Sequence, residues 1–160
     1  MNIIAVKKSM AVQGTAAASK QTGNCLKLHK EREEIEMEQK FYICEHCGNI
    51  IAMVKDTGVP VMCCGQKMTE IIPGTVDAAV EKHVPVYSVE RNLVKVRVGD
   101  VGHPMLPAHY IEWVSLQTKQ GNQRKILHPE EKPEVCFAIC DGDEVESVYA
   151  YCNLHGLWKA

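Results

Sequence analysis

Apolar and polar residues alternate strictly in Leu93-Val-Lys-Val-Arg-Val98, and Gly99-Asp100 then interrupts the run. A period of two puts every second side chain on one face, so the stretch predicts a half-buried β-strand ending in a turn. Ile111-Glu-Trp-Val-Ser-Leu116 predicts another strand, ending before the turn residues Gly121-Asn122. Val135-Cys-Phe-Ala-Ile-Cys140 is a short apolar run that stops at Asp141-Gly-Asp, a hairpin signal. Val145-Glu-Ser-Val-Tyr-Ala-Tyr151 follows and delivers Cys152 at its end. Short strands separated by turns roughly every ten residues predict an all-β fold, an antiparallel sandwich or barrel. From Thr75 onward nothing reads as a long helix.

The first 36 residues follow a different pattern. Lys7, Lys8, Lys20, Lys27 and Lys30 are the charges of the first 30 positions, which carry about +5 against about −7 for the rest. The Ala/Ser/Gly/Gln-rich middle has neither helical nor alternating periodicity, so residues 1–36 are expected to form a disordered extension. Its first apolar residues precede its lysines, the wrong order for a secretory signal, and its first 30 positions lack the arginines of a transit peptide. Glu31–Lys40 is a dense charge run, expected at most to form a solvated helical turn. Met37 is expected to be the true start of the protein.

At 160 residues, the chain has room for a small metal-stapled unit beside a core of about a hundred residues. A net charge of −2 argues against nucleic-acid binding, and no apolar run reaches the ~18–20 residues of a membrane span. Two features of the eight cysteines change the picture. Cys44-Glu-His-Cys47 and the adjacent Cys63-Cys64 are followed by Gly48 and Gly65, the spacing of a metal knuckle. Four thiolates form an all-sulfur cage that selects iron or zinc, structural zinc being the common case. Further on, His83, His103, His109 and His155 join Cys152 in a plausible second ligand set. Five protein donors leave a six-coordinate ion one position for chemistry. Cys25, Cys136 and Cys140 remain, an odd remainder that argues against a disulfide framework and for thiols in a reducing cytoplasm. Cys136 and Cys140, read as lying on one strand roughly 13 Å apart, cannot bridge each other and are expected to be shielded thiols. His29, His46 and His128 are expected at the surface.

These two motifs, in this order, resemble those of desulfoferrodoxin, the two-iron form of superoxide reductase. The adjacent Cys63-Cys64 resembles desulforedoxin, and the resemblance runs from about Phe41 to Trp158. It implies a desulforedoxin-like four-cysteine iron domain over 37–73. A catalytic domain with a seven-stranded immunoglobulin-like β-fold would follow over 74–160. It further implies one-electron reduction of superoxide to hydrogen peroxide at an iron held by His83, His103, His109, His155 and Cys152. Cys152 would lie opposite the open position, Glu81 would occupy that position in the resting oxidised state, and Lys82 would draw the anion and assist protonation. A rubredoxin-type donor would return the electron, and the protein would be a homodimer. The apolar Met105-Leu-Pro-Ala108, where relatives often carry charge, and the N-terminal extension depart from the pattern without touching a ligand. Competing readings are a non-enzymatic electron carrier, a zinc-stapled binding module and a superoxide dismutase.

Overall fold

The computed structural model describes residues 38–160, which form one compact unit. The expectations for the extension, Cys25, His29, Met37 and most of the charge run lie outside the described residues. Strands β1 (Phe41–Ile43), β2 (Ile50–Ala52) and β5 (Thr69–Glu70) make a small antiparallel sheet in the order β2-β1-β5. Between them, β3 (Met62–Cys63) and β4 (Gln66–Lys67) form a hairpin. Its two-residue loop, Cys64-Gly65, has φ of 49° and 76°, so both residues are left-handed. This is the primed-turn geometry whose twist matches the flanking strands.

One helical turn, α1 (Val80–His83), then leads into seven strands. These are β6 (Pro85–Glu90), β7 (Leu93–Val98), β8 (Ile111–Thr118), β9 (Gly121–Ile126), β10 (Glu134–Ala138), β11 (Val145–Cys152) and β12 (Gly156–Lys159). They make two antiparallel sheets, β10-β7-β6 and β12-β11-β8-β9, the all-β sandwich that the alternation predicts. Val94, Val96 and Val98 of β7 point inward with Phe137, and meet Val114 and Leu116 of β8 and Val148 and Ala150 of β11. Lys95 and Arg97 stay in solvent, which is why β7 reads so cleanly as a strand.

β8 and β11 are buried on both faces. The second face carries Trp113 and Tyr149, which form a separate cluster with Leu157 and Phe41. The Phe41 ring lies 5.1 Å from Trp113 and 5.3 Å from Tyr149, so the small sheet is seated on the four-stranded one by an aromatic contact. Two departures concern cysteines. β10 ends at Ala138, so Cys140 lies beyond the strand that was expected to hold it, and it is exposed rather than shielded. Cys136 is half-buried, and both thiols are free.

Candidate metal centres

In the first knuckle, the Gly48 N–H donates to the Cys44 carbonyl at 2.8 Å, and the Cys44 N–H donates to the Asn49 carbonyl at 2.9 Å. Gly48 adopts φ of 76°, closing the loop tightly enough to turn its amides towards sulfur. The hairpin loop brings the second pair opposite. The Sγ atoms of Cys47 and Cys63 are 3.7 Å apart, and those of Cys63 and Cys64 are 4.0 Å apart. A tetrahedron with metal–sulfur bonds of ~2.3 Å has edges of ~3.8 Å, so these separations fit one ion. The thiol chemistry fits as well. The Cys47 N–H, followed by that of His46, pulls the Cys44 thiol down to about 6. Hydrogen bonding with neighbouring thiols, Cys47 foremost, pushes Cys64 up to about 12, and Cys44 likewise raises Cys63. One anion forms readily and suppresses the others, so four thiolates coexist only around a cation. His46 is exposed, as expected.

The second site gathers three separate pieces of chain. His83 ends α1, His103 and His109 flank the loop before β8, and Cys152 and His155 bracket the β11–β12 turn. One ligand atom from each of the five falls within 4.8 Å of the others. His83 Nε2 lies 2.9 Å from His155 Nδ1, and Cys152 Sγ lies 3.6 Å from the same nitrogen. Adjacent ligands at ~2.1 Å around an octahedral ion stand ~3 Å apart, which is the observed spacing. Neighbouring rings meet edge to face at 4.6–4.8 Å between centroids. The inward nitrogens His103 Nε2 and His109 Nε2 are buried without a hydrogen-bond partner. Orphaned buried acceptors are costly, and an ion is what such converging nitrogens accommodate.

The outward nitrogens of His83 and His103 are engaged. His83 Nδ1–H donates to the Ala79 carbonyl at 2.7 Å, and His103 Nδ1–H to the Pro104 carbonyl. Those bonds fix the tautomer that leaves Nε2 free. Burial, the largest influence on each, pushes His83 and His109 down and His103 down to about 4, so all three are neutral and ligand-competent at pH 7. Burial also pushes the Cys152 thiol up, against the N–H groups of Leu154 and His155. A bound cation reverses that penalty.

Several supporting residues escape sequence reasoning because their contacts are distant or made through backbone. Trp158 stacks on His83 at 4.8 Å, and its indole N–H donates to the His155 carbonyl at 3.1 Å. Asn153 accepts from the Tyr110 N–H at 2.9 Å and donates to the Ala108 carbonyl at 3.1 Å, tying the histidine loop to the Cys152 turn. Its position between Cys152 and His155 was the one available signal. Met105, in the apolar stretch, is buried in the core and anchors that loop, whereas Leu106, Pro107 and Ala108 are exposed. Glu81 and Lys82 are exposed on α1 beside His83, and neither belongs to the five-donor cluster.

The desulfoferrodoxin family model matches residues 75–160. The chain is 43% identical to a desulfoferrodoxin of Syntrophotalea carbinolica over 119 residues, 74% of this chain and 93% of that one. It is also 43% identical to one of Nitratidesulfovibrio vulgaris, over 77% of this chain and 96% of that one. Among solved structures, a superoxide reductase from Treponema pallidum superposes with a TM-score of 0.67 at 43% identity, covering 78% of this chain and 99% of that one. Likeness of this extent spans both cysteine-bearing segments, and on it the chain belongs to the desulfoferrodoxin family.

Proposed function

We propose that this protein is a superoxide reductase with two irons. Cys44, Cys47, Cys63 and Cys64 would hold one, and His83, His103, His109, His155 and Cys152 the other. The observation that carries the reading is the five-donor cluster, whose ligand His83 is immediately preceded by the exposed Glu81-Lys82. An iron held by His83, His103, His109, His155 and Cys152 would supply the one electron that, with two protons, converts superoxide to hydrogen peroxide. The chain's own residues do the rest. Imidazole ligands would add no charge to the ion, and the Cys152 thiolate would make the donor set electron-rich. The hydrogen bonds at Ala79 and Pro104 hold two of the rings in the ligating tautomer. The ammonium of Lys82, one residue from a ligand, draws the anion in and offers it a hydrogen bond. Glu81 presents the opposite charge from the same turn and would oppose the approach of the anion that Lys82 attracts.

In the same reading, residues 37–73 are the four-cysteine iron domain and 74–160 the catalytic β-domain. The four-cysteine iron is an accessory centre that matters more to stability or assembly than to the superoxide reaction. A rubredoxin-type carrier returns the electron, in the cytoplasm. A homodimer is supported by β6, an edge strand exposed along nearly its whole length, with Val86, Tyr87 and Val89 in solvent. Pulse radiolysis of the reduced protein tests the activity directly. Second-order oxidation by superoxide, lost in the His109→Ala variant, is expected; a wild-type protein inert to superoxide would refute the proposal.

A further inference from the structure

The turn that follows β7 does more than reverse the chain. Gly99 is buried with φ of 78°, and a Cβ added to it would lie 2.5 Å from the Lys82 carbonyl oxygen, 2.7 Å from its carbonyl carbon and 2.8 Å from its Cα. The α1 backbone therefore rests directly on the face of Gly99 where other residues carry a side chain. Hydrogen bonds close the contact from both sides. The Gly99 N–H donates to the Val84 carbonyl at 3.1 Å, and the Asp100 N–H donates to the Glu81 carbonyl at 2.8 Å. The same turn fixes His103, whose N–H donates to the Val98 carbonyl at 3.1 Å. One short segment thus holds both the Glu81-Lys82-His83 turn and the next ligand histidine.

We propose that Gly99 is a positioning residue: by lacking a side chain it lets α1 seat at the depth that sets Lys82 over the histidine–cysteine site. Moving a 2.5 Å contact out to an ordinary carbon contact of roughly 3.5 Å requires a shift of about 1 Å, and the atoms that must give are backbone rather than a flexible side-chain end. Misplacement on that scale is large for a group that guides a reacting molecule. The inference rests on the role given to Lys82 above.

Gly102 supplies the control. It lies in the same turn with φ of 80°, yet an added Cβ there meets nothing within 4 Å. Both Gly99→Ala and Gly102→Ala impose left-handed strain, but only the first presses on Lys82. The test compares full-length wild type, G99A, G102A, K82A and the G99A/K82A double variant. The superoxide rate constant is measured on iron-loaded protein across ionic strength, and amide hydrogen exchange at residues 80–84 on metal-free protein. G99A is expected to slow the reaction roughly ten- to a hundred-fold, flatten its ionic-strength dependence and speed exchange at 82–84. G102A is expected to stay within about two-fold of wild type, and G99A to add no more than about two-fold in the K82A background. Equal effects of G99A and G102A, or independent multiplication of the G99A and K82A effects, would overturn the proposal. So would failure of G99A to fold where G102A folds, which would make the contact purely structural. A K82A protein as fast as wild type would contradict the role of Lys82 itself. The exchange comparison would then decide alone whether Gly99 holds the turn.

Discussion

Burial acts in opposite senses on the two kinds of ligand in the second site. It keeps His83, His103 and His109 neutral, the form that binds metal, and it disfavours the Cys152 thiolate that the same metal requires. The histidine effect has a defined sign in the metal-free protein. An unfolded imidazole titrates near 6.5, whereas folded His103 titrates at about 4, so between these values the unfolded chain binds more protons. This contribution to stability is complete above pH ~6.5 and is lost as the pH falls towards about 4. Melting of metal-free protein should therefore show a falling Tm over that window, and bound metal should shift the loss to lower pH. His103→Gln should flatten the dependence. At the same scale, His109→Ala should weaken metal binding at the second site by more than the roughly 10–100-fold typical of losing a group that only supports a ligand. Metal titration of the variant against wild type checks this. The ligands were legible in the sequence because residue type and spacing carry the signal. Gly99, Ala79, Asn153 and Trp158 were not, because what they contribute is a missing Cβ, a carbonyl or a contact with a distant segment.

Legibility of the elements followed how water meets each strand. β7 has one wet and one dry face, and its predicted bounds, Leu93–Val98, match the structure. β8 and β11 were placed by their apolar content, but their second buried face became intelligible only once Phe41 was seen to cover it. β6 and β9 left no alternation, since β6 buries only Pro85 and all of β9 is exposed. Gly121-Asn122, expected as a turn, begins β9. The aromatic seat has a measurable consequence. Phe41→Ala should destabilise the protein by about 3–5 kcal/mol, as for other buried aromatics, with near-UV dichroism lost from Trp113. Denaturant unfolding read by tryptophan fluorescence measures the cost. Cys44→Ser should likewise lower stability and empty the four-cysteine site, while metal content and the superoxide rate constant at the second site stay at wild-type values.

For the molecule as a whole, the sandwich serves to hold loops from α1, the segment before β8 and the β11–β12 turn at one place. Rigid sheets supply the precision, and loops supply the donors. In the proposed homodimer the exposed β6 edge would be the meeting surface, and sedimentation equilibrium should return about twice the chain mass; Val89→Lys should shift that value towards the monomer. The central claim is that two different donor sets give two irons, of which the histidine–cysteine one meets superoxide. It is tested most directly by metal analysis and absorption spectra of protein purified without added metal, recorded after ascorbate and again after superoxide. The account predicts two irons per chain, thiolate charge-transfer bands, and rapid oxidation of the reduced second iron with formation of hydrogen peroxide. Zinc alone, or an iron whose spectrum superoxide leaves unchanged, would contradict it.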